Sequence, residues 1–309
     1  MATILITGGT GMIGTRLSGL LIGKGYDLVI LSRKLHAPPA KWKGKLRYAI
    51  WDLHAQTIDR EAIATADHII HLAGEGVADK RWTEDRRQEI LRSRTQSSQL
   101  LVKSLREIPN HVQTVVSASA IGWYGPDTEV SRRNGFREDE PADSAFLGET
   151  CRLWEESIQP VEVLGKRLVK LRTGIVLGMD GGALHEFRKP LQFGIAAILG
   201  AGKQVVSWIQ LDDLCRIYIE AIENPTIHGA YNAIAPQPVT NKELTMELAR
   251  QVRGKYFVPV HVPVFALKLA LGEMSIEVLK SATVSAGKIS STGFKFLYPD
   301  IASALKASL

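Results

Sequence analysis

The chain has 309 residues, 45% of them hydrophobic and 23% charged, with a net charge of +6. That length allows a sizeable core in one large or two interleaved domains, and the composition excludes a disordered or fibrous chain. No run approaches the ~18 apolar residues of a membrane span, the basic residues are dispersed among acidic ones rather than gathered on a nucleic-acid surface, and Cys151 and Cys215 form neither a metal motif nor a disulfide framework.

Residues 2–6 are an apolar run that predicts a strand, and 15–23 predict a helix with Leu17, Leu20 and Leu21 on one face. Between them stands TGGTGMIG, residues 7–14, with glycines at 8, 11 and 14. A strand, a tight glycine turn and a helix N-terminus together make a pyrophosphate site. A Cβ in the turn would hold a phosphate off the backbone, and the first helical N–H groups supply donors. Gly8, Thr10, Gly11, Met12, Ile13 and Gly14 are the expected cradle. A strand that starts so early leaves no room for a leader, so a cytoplasmic location is expected.

The next strand, 27–31, ends in Ser32-Arg33-Lys34. A carboxylate about 20 residues past the glycines would bind the ribose 2′-hydroxyl of NAD. A guanidinium instead pairs with a 2′-phosphate. The expected cofactor is therefore NADP(H), with Arg33 as the main anion partner and Ser32 or Lys34 assisting.

Further strands are predicted at 46–50, 68–72, 113–117 and 167–171, and a long helix at 83–106 with Ile90, Leu91, Leu100, Leu101 and Leu105 on its apolar stripe. This alternation predicts an α/β fold, a Rossmann-like doubly wound parallel sheet whose strand C-termini face ligand along one edge. After residue 177 the pattern changes. A glycine-rich turn at 178–182 precedes helix plus loop at 183–203, a strand at 205–209, a helix at 212–223 and a strand at 229–233. From 236 onward helices dominate, with Pro259 and Pro263 flanking a turn into a helix at 264–271. The expected division is a nucleotide domain of 1–178 plus about 204–235, and a smaller, mostly helical cap of about 179–203 plus 236–309. The cleft between them is the natural place for a small-molecule substrate. Trp82, Trp123 and Trp208 are candidates to line it.

With its TGGTGMIG and SRK segments, HLAGEGVADKRW at 71–82, KLRTGIVLG, SWIQLDDL, YNAIAP and the C-terminal VPVFALKLALGEM and TGFKFLYPDIASAL, the chain resembles the extended short-chain dehydrogenase/reductase superfamily, in its branch of epimerase-family proteins. The resemblance covers essentially the whole chain. It implies that Asp52 and Leu53 lie near the adenine and Ala73 and Gly74 near the phosphate–ribose bridge. It also implies that Ser119, in SASAIGWYG at 117–125, matches the serine that hydrogen-bonds the reacting oxygen.

The superfamily's catalytic YxxxK is missing: none of the seven tyrosines has a lysine four residues on. The segment where it belongs, 144–152, holds Phe146, Leu147 and Cys151, none of which replaces a tyrosine–lysine pair. Tyr124 and Glu75, both at or just beyond predicted strand ends, are the candidate replacement proton donors. Three expectations follow: an NADP(H)-dependent oxidoreductase or epimerase-like enzyme acting on a carbonyl or alcohol, a nucleotide-sugar epimerase or dehydratase, or a non-catalytic NADPH-binding module.

Overall fold

The computed structural model describes residues 2–178 and 181–309. Strand β1 (Thr3–Thr7) leads into α1 (Met12–Gly23), β2 (Asp27–Ser32), β3 (Leu46–Asp52) and the short β4 (Thr57–Ile58). Then come α2 (Arg60–Ala64), β5 (His68–His71), α3 (Glu84–Glu107), β6 (Thr114–Ala120), α4 (Glu129–Asn134), α5 (Phe146–Ile158) and β7 (Arg167–Thr173). The chain continues through β8 (Ile175–Leu177), α6 (Gly182–Leu191), β9 (Ile195–Leu199), β10 (Val205–Val206), β11 (Trp208–Gln210), α7 (Leu211–Glu223) and β12 (Gly229–Ala233). It closes with β13 (Val239–Thr240), α8 (Asn241–Arg253), β14 (Val258–Val262), α9 (Val264–Leu271) and three short helices that end at Ala307.

Eight strands form one sheet in the order β12-β7-β6-β5-β1-β2-β3-β4, parallel except for β4. The predicted doubly wound α/β sheet is present. The winding runs one way through β1, β2 and β3 and the other way through β5, β6 and β7. The reversal lies between β1 and β5, so the ligand crevice opens at their C-terminal ends.

The period-2 alternation of the strands divides the core. Ile4 and Ile6 pack with Leu17, Leu21, Leu214 and Tyr218 on one face, whereas Leu5 packs with Ile63, Leu101 and Leu105 on the other. Helix α1 has no side-chain cap. Leu17 and Leu21, both fully buried, hold it down, each worth ~1.5–3 kcal/mol. A third cluster, including Leu177, Leu184, Leu191, Trp208, Leu248 and Leu305, joins α6 and α8 to the last helix.

Three expectations about elements are corrected. The segment expected as helix plus loop at 183–203 also contains β9, which pairs in parallel with β14 from the region expected to be helical. Pro259 is tolerated there because, among the described residues, β14 pairs on one side only. The single strand expected at 205–209 is split at Ser207, whose hydroxyl donates to the carbonyl of Ala282 and accepts the N–H of Val284. The halves join different partners, β10 with β13 and β11 with β8. Strand β6 runs on to Ala120, so Ser119 lies inside the strand, in register with Arg172. The glycine-rich turn at 178–182 includes Met179 and Asp180, which lie outside the described residues.

Candidate active site

The turn after β1 is built by close backbone approach. Gly8 has φ 69, and a Cβ there would lie 2.9 Å from the carbonyl carbon of Leu72. A Cβ on Gly14 would lie 2.5 Å from both the Gly8 carbonyl oxygen and the Gly9 Cα. At Gly11 the space is open: among the described residues beyond its chain neighbours, the Gly8 oxygen, at 3.4 Å, is the one heavy atom that comes within 4 Å of an added Cβ. Gly11 is also the N-cap of α1, and the first turn carries no acidic side chain. Open space in front of an uncapped helix N-terminus fits a phosphate bridge. Thr10 and Gly11 are exposed at the lip of the turn, with Met12 and Ile13 half-buried behind them.

A histidine that the sequence reading passed over locks this turn to its neighbours. His71 is fully buried at the end of β5. The Thr7 hydroxyl oxygen accepts the N–H groups of Leu72 and Ala73, both at 3.1 Å, and stands 2.7 Å from His71 Nδ1. With both its lone pairs used, Thr7 must donate its own proton to Nδ1. The ring proton therefore sits on Nε2, facing the hydroxyls of Ser98 and Ser97 at 3.2 and 3.3 Å. Those hydroxyls donate in turn to the carbonyl of Arg94. The network ties β1, β5 and α3 together and requires a neutral ring.

Burial pushes the His71 pKa down to about 3. The unfolded chain takes up this proton near pH 6.5 and the folded chain only near 3, so stability falls as pH drops through that window. Between pH 6 and 4 the unmodified protein is expected to lose up to ~1.4 kcal/mol per pH unit more than His71→Gln. Urea unfolding across that range checks it. Equal slopes in the two proteins would refute the neutral, buried assignment.

At the end of β2, Arg33 projects into solvent, its side chain 83% exposed, with Nη1 at 3.9 Å from Glu75. Lys34 is exposed. Ser32 Oγ accepts the Lys34 N–H at 3.3 Å and lies 3.2 Å from His36 Nε2. At the end of β3, Asp52 is exposed and accepts the N–H groups of Ala55 and His54, which hold its carboxyl below the usual range. Leu53 packs partly into the core beside it. At the end of β5, Ala73 is half-buried and Gly74 exposed. All these residues, like the glycine turn, lie along one edge of the sheet.

The candidate proton groups do not converge. Glu75 is drawn to two arginines, Arg33 and Arg86, the latter at 3.7 Å. That is the setting of a paired carboxylate, not the apolar pocket expected for an acid. Tyr124 is 1% exposed and stacks on Phe136, ring centres 5.1 Å apart. Its hydroxyl donates to Asn232 Oδ1 at 2.8 Å and accepts from Arg172 Nη1 at 3.1 Å. Burial pushes the phenol up to about 12. Tyr124 is thereby a packed, fully hydrogen-bonded core residue rather than a donor open to the cleft.

Ser119 sits at a different junction. It is 3% exposed, and its hydroxyl donates to Glu155 Oε1 at 2.7 Å. Glu155 takes Arg172 in a two-pronged pair, 2.8 Å to Nε and 3.1 Å to Nη2. The Arg172 guanidinium lies 3.6 Å from the ring centre of Trp123. Glu155 and Arg172 were not among the expected residues. The spacing from Ser119 gives no local cue, since the partners meet across β6, α5 and β7. On α5, Leu147 and Cys151, from the segment where YxxxK belongs, both face Gly122: a Cβ there would lie 3.2 Å from Leu147 Cβ and 3.6 Å from Cys151 Sγ. Cys151 is buried, and burial pushes its thiol up to about 12, the setting of a packed thiol rather than an activated one.

Of the tryptophans, Trp208 is wholly in the core and lines nothing. Trp82 packs edge-on against Phe146 at 5.0 Å. A cavity of about 440 Å³ lies between α1, α7 and Phe294, on a flank away from the strand ends, and contains none of the expected residues. Among the described residues no cluster of His, Cys, Asp and Glu is arranged for a metal, and no helix is long and apolar enough to cross a membrane.

The pattern of the NAD dependent epimerase/dehydratase family matches residues 4–146, and that of DUF1731, a domain of unknown function, matches 262–308. The epimerase family protein YfhF of Bacillus subtilis is 36% identical over 306 residues, spanning 98% of this chain and 96% of its own. The human epimerase family protein SDR39U1, solved with NADPH, is similar at 29% identity with a TM-score of 0.86, over 99% of this chain and 98% of that one. A nucleoside-diphosphate sugar epimerase from Corynebacterium glutamicum is 30% identical with a TM-score of 0.76, over 99% of this chain and 58% of its own.

Proposed function

Because the chain belongs to the epimerase family, with a DUF1731 segment at its C-terminal end, we propose that it is an NADP(H)-binding oxidoreductase or epimerase-like enzyme that acts on the carbonyl or alcohol group of a small molecule. The observation that carries the cofactor choice is Arg33, an exposed guanidinium held only loosely, 3.9 Å from Glu75, at the strand end where an NAD site places a carboxylate. The NADPH bound to the human relative SDR39U1 supports it. When bound, the nicotinamide supplies hydride donation or acceptance. The chain's own residues bind and orient. The glycine turn and the α1 N-terminus take the pyrophosphate, Arg33 takes the 2′-phosphate with Ser32 and Lys34 beside it, and Ser119 orients the reacting oxygen. Because Ser119 gives its proton to Glu155, what it offers a ligand is a lone pair. That suits a substrate hydroxyl better than a bare carbonyl.

The test is a titration of NADPH and NADH by nicotinamide fluorescence. The unmodified protein should prefer NADPH, and Arg33→Asp should weaken NADPH about tenfold, the low end for a charged hydrogen bond because Arg33 is exposed. Equal binding of the two cofactors by the unmodified protein would sink the NADP assignment. Leucine and cysteine at 147 and 151 favour a second reading, a non-catalytic NADPH-binding module. NADPH binding without oxidation by any of a broad set of aldehydes, ketones and nucleotide sugars would make that the better account.

A further inference from the structure

Three arginines are buried in this fold, Arg86, Arg94 and Arg172. Arg86 is paired with Glu89 and Arg172 with Glu155. Arg94 has no ion-pair partner among the described residues. Its Nη1 donates to the carbonyl of Ile90 in its own helix at 3.0 Å, and its guanidinium carbon lies 5.0 Å from the ring centre of Trp154. Beside it, the Trp154 Nε1–H is buried and has no acceptor. Desolvation pushes the Arg94 pKa down, opposed by the nearby Cys151 and Glu75. A buried guanidinium without a carboxylate costs several kcal/mol. A ligand acceptor at this point would offset that cost.

The place in the fold says which acceptor. A Cβ on Gly74, at the end of β5, would stand 3.2 Å from the Arg94 guanidinium carbon. Gly74 itself is exposed. In the strand order β6-β5-β1-β2, the glycine turn ends β1 and Arg33 follows β2, which puts the adenosine half of a dinucleotide on the β2 side. The other half must run the opposite way, over the ends of β5 and β6, past Gly74 and Arg94. This step rests on the dinucleotide reading above.

We propose that Arg94 binds the nicotinamide-side ribose of the cofactor, making from α3 the charged hydrogen bonds that the absent YxxxK lysine, whose place Cys151 takes, would make from α5. The positive charge has changed helices rather than disappeared.

Two ligands separate this role from a structural one: NADPH, and adenosine 2′,5′-bisphosphate, which carries the adenosine half alone. Arg94→Met should weaken NADPH about 10- to 100-fold and leave adenosine 2′,5′-bisphosphate affinity within about twofold. The ligand-free thermal midpoint should stay level or rise, because an uncompensated buried charge has gone. Arg94→Gln, which keeps a hydrogen-bonding head and loses the charge, should weaken NADPH in the same way. Unchanged NADPH affinity in either folded variant overturns the assignment. So does an equal loss for both ligands, or a lowered midpoint with NADPH affinity kept. If the unmodified protein binds neither nucleotide, the dinucleotide reading falls first and this assignment with it; a failure confined to the Arg94 variants overturns this assignment alone.

Discussion

Gly11→Val is expected to weaken NADPH binding by about 100-fold or more, ~2.7 kcal/mol, while the protein still folds. The backbone at Gly11 is extended, φ −78 and ψ 175, which valine adopts without strain. Around its missing Cβ the Gly8 oxygen, at 3.4 Å, is the one near atom among the described residues beyond its chain neighbours. The side chain therefore fits the ligand-free protein and fills the space in front of the α1 N-terminus, where a pyrophosphate must sit. Gly14→Val is the contrast. Its Cβ would stand 2.5 Å from backbone atoms of Gly8 and Gly9, so the turn itself must open, and stability should fall along with binding. Circular dichroism melts and nicotinamide fluorescence titrations on the same samples separate the two. A Gly11→Val protein with native affinity would place the phosphates elsewhere.

Glu155→Ala is expected to destabilise the protein by about 3–5 kcal/mol. Glu155 is 4% exposed and Arg172 is 3% exposed. Removing the carboxylate leaves the guanidinium, and the Ser119 hydroxyl, without their acceptor. Lys170, at 3.5 Å from the same carboxylate, would lose a partner as well. Replacing both members, Glu155→Leu with Arg172→Met, should recover much of the loss, since it removes the stranded charge along with its partner. Urea unfolding of the two single variants and the double variant measures the coupling. A loss below about 1 kcal/mol for Glu155→Ala would show that water reaches Arg172 freely.

The elements read most directly from sequence were those set off by their neighbours or carrying a local period. Gly229–Ala233 and Val264–Leu271 keep the bounds expected of them. Helix α7 buries Leu214, Ile217, Tyr218, Ala221 and Ile222, spaced three and four residues apart along one face. Asp212 and Asp213 stand in the first turn of that helix, but the capping side chain is Gln210, which accepts the Asp212 N–H. Asp213 instead receives the N–H groups of Leu297 and Tyr298, each at 2.9 Å, and so anchors the C-terminal segment. Strands β9 and β14 were missed for a related reason. Each is five residues long, and neither declares itself until the other lies alongside.

Sequence by itself determined the glycine turn, the alternation of strand and helix, and the basic strand end at Arg33. Each is a local signal, complete within a few consecutive residues, because the residue types that make a phosphate turn or an amphipathic face stand next to one another in the chain. Only the tertiary structure decided which polar groups are free and which are spoken for. Ser119 meets Glu155 across 36 residues and Glu155 meets Arg172 across 17; Tyr124 meets Asn232 across 108. Whether a serine, tyrosine or arginine can act on a ligand depends on such partners. Burial makes each hydrogen bond nearly obligatory, and a chain read in order does not say what will be buried beside what. For that reason Tyr124, open in sequence, is closed in the fold, while Arg94, one arginine in a mixed run of charges, is left as the buried cation without a counter-ion among the described residues.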